Sequence, residues 1–293
     1  MKNTQLAMIM LLVFGLQLEC QAREANNLSD SKNAARDAAG KKAFEEQIEG
    51  KAPAIPPYPS GVNRQDLLSL LFGAQQKPIA KDDLQGPFAI AYPGRPGLFV
   101  AAAGIRDYGN QDNPINLSLA VFKIDAPHKL TAVAKPKAPL KLGCTWEFVQ
   151  DAPGEGVLYD TDLEGIDGAT FNLGNNQFAF ALKMNHSEGY AGGFASYQSF
   201  HLMTIDDSNV VELLTAPVYA MQNFSGDWHK DGTRAHEVNE NKLVVVVMPT
   251  EHDGYKDVVI RQVRGGHHVF KMQWSSKQKK YVGAGTTQPQ PFK

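Results

Sequence analysis

The chemically richest stretch of the chain is Asp227-Trp228-His229-Lys230-Asp231-Gly232-Thr233-Arg234-Ala235-His236-Glu237. It combines an aromatic, two imidazoles, three carboxylates and an arginine within eleven residues. Trp and Arg are the types most enriched at binding hot spots, and binding residues gather on loops carried by rigid scaffolds. The spacing of His229 and His236 suits no compact zinc motif, and His-Glu-x-x-His is absent. The stretch therefore reads as a binding loop with Trp228, His229, Arg234, His236 and Glu237 as contact groups. The plainer alternative is a polar hairpin whose Asp231-Gly232 makes the turn and whose Trp228 anchors it in the core.

A second candidate is Asp160-Thr161-Asp162-Leu163-Glu164-Gly165-Ile166-Asp167-Gly168. Carboxylates at alternating positions ahead of a glycine could converge on a hard cation, and Ca²⁺ takes six to eight oxygens. Asp160, Asp162, Glu164 and Asp167 are the candidate metal ligands. The twelfth loop position is Phe171, where an EF-hand has a bidentate Glu, so a solvated acidic turn competes with calcium. No other cofactor is indicated. No Gly-x-Ser-x-Gly elbow occurs, and the Ser-x-x-Lys spelling Ser29-Asp30-Ser31-Lys32 falls in a polar N-terminal stretch. Catalytic residues are not identifiable from sequence.

The elements that must carry these groups are strands. From about Asp82 onward, runs of β-branched, aromatic and leucine residues alternate with Gly, Asn, Asp and Pro punctuation. Expected strands include Phe88–Tyr92, Leu98–Ala103, Leu117–Ile124, Leu130–Ala134, Phe178–Met184, Ser196–Ile205, Val210–Thr215, Leu243–Met248 and Asp257–Val263. Asp167-Gly168, Asp231-Gly232 and Asp253-Gly254 are turn dipeptides. No long helical period interrupts the region, which disfavours parallel βαβ winding. A short helix with an apolar face is expected around Leu67, Leu68, Leu70, Leu71 and Phe72.

An internal repeat runs through the strands. Leu117–Asp125, followed by Leu130, Val133 and Pro136, matches Phe200–Asp206, followed by Val211, Leu214 and Pro217, at an offset of 81 residues. Upstream, Asp83-Leu84-Gln85-Gly86 matches Asp162-Leu163-Glu164-Gly165 at an offset of 79. A fainter third copy begins near Asn241. The fold class expected is all-β, with antiparallel sheets from two or three related units arranged as a β-sandwich or propeller-like stack, and a short helical N-terminal region. The organisation reads as a signal peptide over 1–22, a weakly ordered or helical segment and Pro-rich linker over 23–60, and a β-rich domain over 61–287. Its units span about 82–159, 160–240 and 241–287.

The signal reading rests on Lys2, the apolar run Leu6–Leu18, and the small residues Cys20 and Ala22 at −3 and −1 ahead of cleavage before Arg23. That run is shorter than the roughly 20 residues of a spanning helix, so no transmembrane anchor is expected after cleavage. Cleavage leaves Cys144 as the single thiol, expected to be a buried packing residue. The lack of disulfides fits a periplasm better than an animal extracellular space. Net charge is −2 with a pI of about 6.4, and no cationic face is clustered, so nucleic acid is not an expected partner.

The sequence thus points to a periplasmic or secreted, non-enzymatic β protein that binds another macromolecule, a protein or envelope component, as an inhibitor or immunity-type protein would. The alternative is a secreted hydrolase acting on envelope polysaccharide or peptide, metal-dependent where the acids of the 160–167 stretch hold a cation.

Overall fold

The computed structural model describes residues 57–73, 79, 83–106, 115–145, 157–158, 161–190, 192–263 and 269–284. The signal segment 1–22, the segment that follows it up to Pro56, and Asp160 lie outside the described residues.

The short helix forms as α1, Arg64–Phe72. Asn63 caps it, its side chain accepting from the Asp66 amide while the Asp66 carboxylate accepts from the Asn63 amide. This reciprocal pairing satisfies two of the amide donors left open at a helix start. The apolar positions Leu67, Leu68 and Leu71 are buried.

Four strands follow in chain order as one antiparallel sheet: β1 Leu84–Ala91, β2 Phe99–Arg106, β3 Ile115–Ala126 and β4 Lys129–Ala134. A two-stranded pair, β5 Cys144–Thr145 and β6 Val157–Leu158, stands apart. The second main sheet has eight strands: β7 Asp162–Asn172, β8 Phe178–Tyr190, β9 Gly193–Asp206, β10 Asn209–Trp228, β11 Arg234–His252, β12 Tyr255–Gln262, β13 Val269–Ser275 and β14 Lys280–Gly283. Every strand in the two main sheets is hydrogen-bonded to its sequence neighbour, so each sheet is a meander without crossovers. The all-β, antiparallel expectation holds.

Two-sided burial explains the near-continuous apolar runs. On β2 and β3, Val100, Ala102, Leu117, Leu119 and Val121 join a core that also holds Phe180, Leu182, Met184 and Met203 of the second sheet. The alternate residues Ala101, Ala103, Ala120 and Phe122 face Leu67 and Leu71 of α1. Alanines on that face let the helix backbone come close, and Phe122 fills the remaining space. The second sheet likewise buries Phe171, Leu173, Phe200, Leu202, Leu213 and Ile260 in a core of its own.

Both matched segments form hairpins. β3–β4 turns at Pro127-His128 and β9–β10 at Asp207-Ser208, each a two-residue connection with one residue at positive φ. The upstream motifs open β1 and β7 and touch: Gln85 accepts from the Leu163 amide at 2.7 Å and donates to the Asp162 carboxylate. The two sheets are also tied where Lys135 donates to the Ser208 carbonyl and accepts from the Val210 amide, both at 3.2 Å.

Two compact units result. One comprises residues 192–193 and Asn223–Val238; the other holds the remaining described strands and α1.

Candidate functional site

The stretch read as a long loop is mostly strand. β10 runs on to Trp228 and β11 starts at Arg234, leaving only five residues between them. The turn closes through His229 and Thr233: the His229 amide donates to the Thr233 carbonyl at 2.7 Å, and the Gly232 amide returns to the His229 carbonyl at 3.1 Å. Asp231 fixes the interior by accepting from the Thr233 amide at 2.9 Å and its hydroxyl at 2.7 Å. Those hydrogen bonds hold the Asp231 carboxyl below the usual carboxylate range. Gly232, at φ 85°, supplies the left-handed residue the turn requires.

Trp228 and Arg234 flank this turn. The guanidinium lies 5.4 Å from the indole centroid, and Arg234 Nε donates to the Gly226 carbonyl at 2.9 Å. Trp228 nonetheless remains 70 % exposed. The alternative in which it anchors the turn in the core is therefore incorrect: the indole meets Arg234 and is otherwise largely open to solvent. Sequence reasoning missed Phe224, a second exposed aromatic on the same strand, because it sits among residues that read as strand or loop equally well. His236 is half-buried, its Nδ1 3.0 Å from Asn223 Oδ1, so it serves the ribbon's internal structure. His229 and Glu237 are exposed. The ribbon base depends on Gly193, where a side chain would run into the Asn223 carbonyl. The tip thus brings Trp228 and Arg234 together, with His229 next in the chain opening the turn.

The acidic stretch is also strand. Asp162, Glu164 and Asp167 lie on β7, paired to β8 through registers such as Asp162↔Asn185 and Asp167↔Ala181. Asp162 is paired with Arg106 and Gln85. Asp167 lies 2.9 Å from Lys183 Nζ and accepts from the Ala169 amide at 2.9 Å. Burial pushes the Asp167 carboxyl up, but that amide and Lys183 outweigh it and hold the group below its usual range. Glu164 goes the other way: burial raises its carboxyl, and Lys183 offsets only part. One Glu164 oxygen accepts from Gln198 at 3.3 Å, while the other is buried without a hydrogen-bond partner. Arg106 thus serves Asp162 while Lys183 acts on both Asp167 and Glu164, and among the described residues no three metal-ligating side chains converge.

Two further polar clusters have no sequence signature. His201, 2 % exposed, places Nδ1 2.6 Å from Glu212 Oε1 and Nε2 3.0 Å from the Gly143 carbonyl. Thr215 donates to the same Glu212 oxygen at 2.7 Å. Asp257, fully buried, receives Thr250 Oγ1 at 2.6 Å, His252 Nδ1 at 2.6 Å and Lys271 Nζ at 3.0 Å. Burial alone would raise the Asp257 carboxyl; these three contacts outweigh it and leave it low. Cys144 is buried, and burial pushes its thiol up to about 12, so it is no ready nucleophile.

No protein-family model, no curated protein and no solved structure matches the chain.

Proposed function

We propose that the chain is an exported, non-enzymatic β protein that binds another macromolecule, a protein or envelope component, through the turn between β10 and β11. The observation that carries this reading is the pairing of a 70 % exposed Trp228 with Arg234 5.4 Å from its ring centroid. An exposed indole held in place by cation–π contact and strand pairing has little conformational freedom left to lose on binding. Phe224 extends the apolar area, and His229 and Glu237 supply a polar rim, the general anatomy of an interface. Export to the periplasm or beyond rests on Lys2, the apolar run Leu6–Leu18 and the cleavage pattern at Cys20-Gln21-Ala22. The two hairpins and the touching Gln85 and Asp162–Leu163 motifs support descent from a duplicated unit, with the shared core arranged as a β-sandwich.

The test is site-specific photocrosslinking of the chain from Arg23 onward in an envelope extract, with the probe at Trp228 or at the exposed Val263. A discrete adduct at position 228 alone, lost when Arg234→Ala is added, is the expected result. Equal labelling at both positions, or none at 228, removes the tip as the binding site. Cleavage of the precursor between Ala22 and Arg23 on expression in a bacterial host checks export separately.

A further inference from the structure

A cavity of about 620 Å³ opens in the larger unit, and no residue of the turn just described lines it. One wall is aromatic. Tyr255 and Trp274 both line it, their rings stacked at 4.2 Å between centroids with planes 23° apart. Tyr281 packs edge-on against Trp274 at 5.6 Å and is itself fixed by donating to the Lys256 carbonyl at 2.8 Å. Trp274 is thus held as a rigid flat surface rather than a mobile ring.

The rest of the lining is polar and of mixed sign. Gln177 is locked in place, its amide donating to Thr204 Oγ1 at 2.5 Å and to the Ile205 carbonyl at 3.0 Å. Thr204 in turn donates to the Phe178 carbonyl at 2.8 Å. Asp253 accepts from Ser276 at 2.9 Å, and Asp206 faces Lys279 at a loose 3.7 Å. Three carboxylates, Asp206, Asp207 and Asp253, stand against two cations, Arg95 and Lys279.

Those features select a ligand class. A pyranose has a flat face of C–H groups that lies on an aromatic ring, and an equatorial belt of hydroxyls that both donate and accept. Carboxylates, guanidinium, ammonium and amide groups around one aromatic wall meet that belt with acceptors and donors together. The volume is within the range of small-ligand sites. The excess of carboxylates over cations disfavours a sugar bearing carboxylate, phosphate or sulfate. A peptide strand would instead need an open sheet edge or serial apolar pockets. We propose that this cavity binds an uncharged pyranose unit of a glycan, stacked on Trp274 and hydrogen-bonded by Asp206 and Arg95.

The experiment is saturation-transfer NMR and calorimetry on the chain from Arg23 onward, with cellobiose, maltose and the disaccharide of N-acetylglucosamine as probes. A digalacturonate serves as the anionic control. At least one neutral disaccharide is expected to bind, with saturation strongest on its ring C–H protons and with the anionic control silent. Asp206→Asn, Arg95→Gln and Trp274→Phe should each weaken binding by about tenfold or more, in keeping with loss of a central contact. Asp206 is exposed and Arg95 only half-buried, so their variants are expected to keep the wild-type melting temperature. Trp228→Ala, in the other unit, should leave sugar binding unchanged, which keeps this test separate from that of the turn. The proposal is overturned if no disaccharide binds at up to about 10 mM, beyond the range of weak specific affinity. It is equally overturned if digalacturonate binds as well as the neutral sugars, or if all three pocket variants bind like wild type.

Discussion

Replacing Glu212 by glutamine removes the charge opposite a buried histidine while keeping the side chain's size. Burial would raise the Glu212 carboxyl, but the hydrogen bond and charge of His201, with Thr215, outweigh that and hold it below its ordinary value. Both His201 ring nitrogens lie within hydrogen-bonding distance of acceptors, the Glu212 carboxylate and the Gly143 carbonyl. Breaking a fully buried pair costs about 3–5 kcal/mol. Here His201 is sequestered but a quarter of the Glu212 side chain still reaches solvent, and glutamine keeps an acceptor oxygen. The expected loss is therefore about 2–3 kcal/mol at pH 7, or roughly 5–10 °C in melting temperature for a chain of this size. The pH dependence has a definite sign. A carboxyl depressed in the folded state stabilises fully above its unfolded value of about 4.3, and the contribution fades as pH falls through the folded value. Urea unfolding of wild type and Glu212→Gln between pH 7 and pH 3 should show a gap that is largest near neutrality and closes in acid. A gap below about 0.5 kcal/mol at pH 7, the size of an ordinary surface substitution, would refute the reasoning. A gap unchanged from pH 7 to pH 3 would refute it too.

Cys144, with its thiol raised to about 12, should resist a thiol reagent at pH 8 in the folded chain from Arg23 onward and react only once denaturant is added; rapid native labelling would contradict its burial. Phe122→Ala, at a site with no solvent exposure against Leu67 and Leu71, should cost about 3–5 kcal/mol in urea unfolding, and a loss below 1 kcal/mol would show that α1 does not seat there. Adding Ca²⁺ or a chelator should leave the melting temperature unchanged, because Asp162 and Asp167 are each engaged by a cationic side chain; a rise of several degrees with Ca²⁺ would instead support the site expected at Asp160, Asp162, Glu164 and Asp167. Trp228→Ala should alter stability by no more than about 1 kcal/mol, the scale of an exposed cation–π contact, and a larger loss would mean the indole has a structural role.

Local chemistry by itself determined several features. The apolar run Leu117–Ile124, bounded by turn residues, was enough to place β3 as a strand, although both of its faces are buried. Asp253-Gly254 fixed a turn for the same local reason: both residues take positive φ, 50° and 80°, which few other residue pairs tolerate. Asn63 and Asp66 marked the start of α1 through contacts three residues apart. Burial of the cysteine was likewise readable from its apolar neighbours.

Strand length was not local. Val210–Thr215 was the legible part of β10, yet the strand runs from Asn209 to Trp228 because β11 continues to pair with it past the point where apolar alternation fades. The acids of β7 read as a loop for a related reason: their charges interrupt the apolar pattern, and only pairing with β8 and the cations Arg106 and Lys183 makes strand geometry favourable there. The sugar-sized cavity lay furthest from view. Arg95, Asp253 and Lys279 come from connections distant in sequence and Asp206 from the end of β9, and Tyr255 meets Trp274 only through the register of β12 on β13. Sequence spacing determines what one strand or turn can do, because those energies depend on neighbours a few residues away. Which distant side chains share a cavity depends on long-range pairing and packing, and only the tertiary structure decides that.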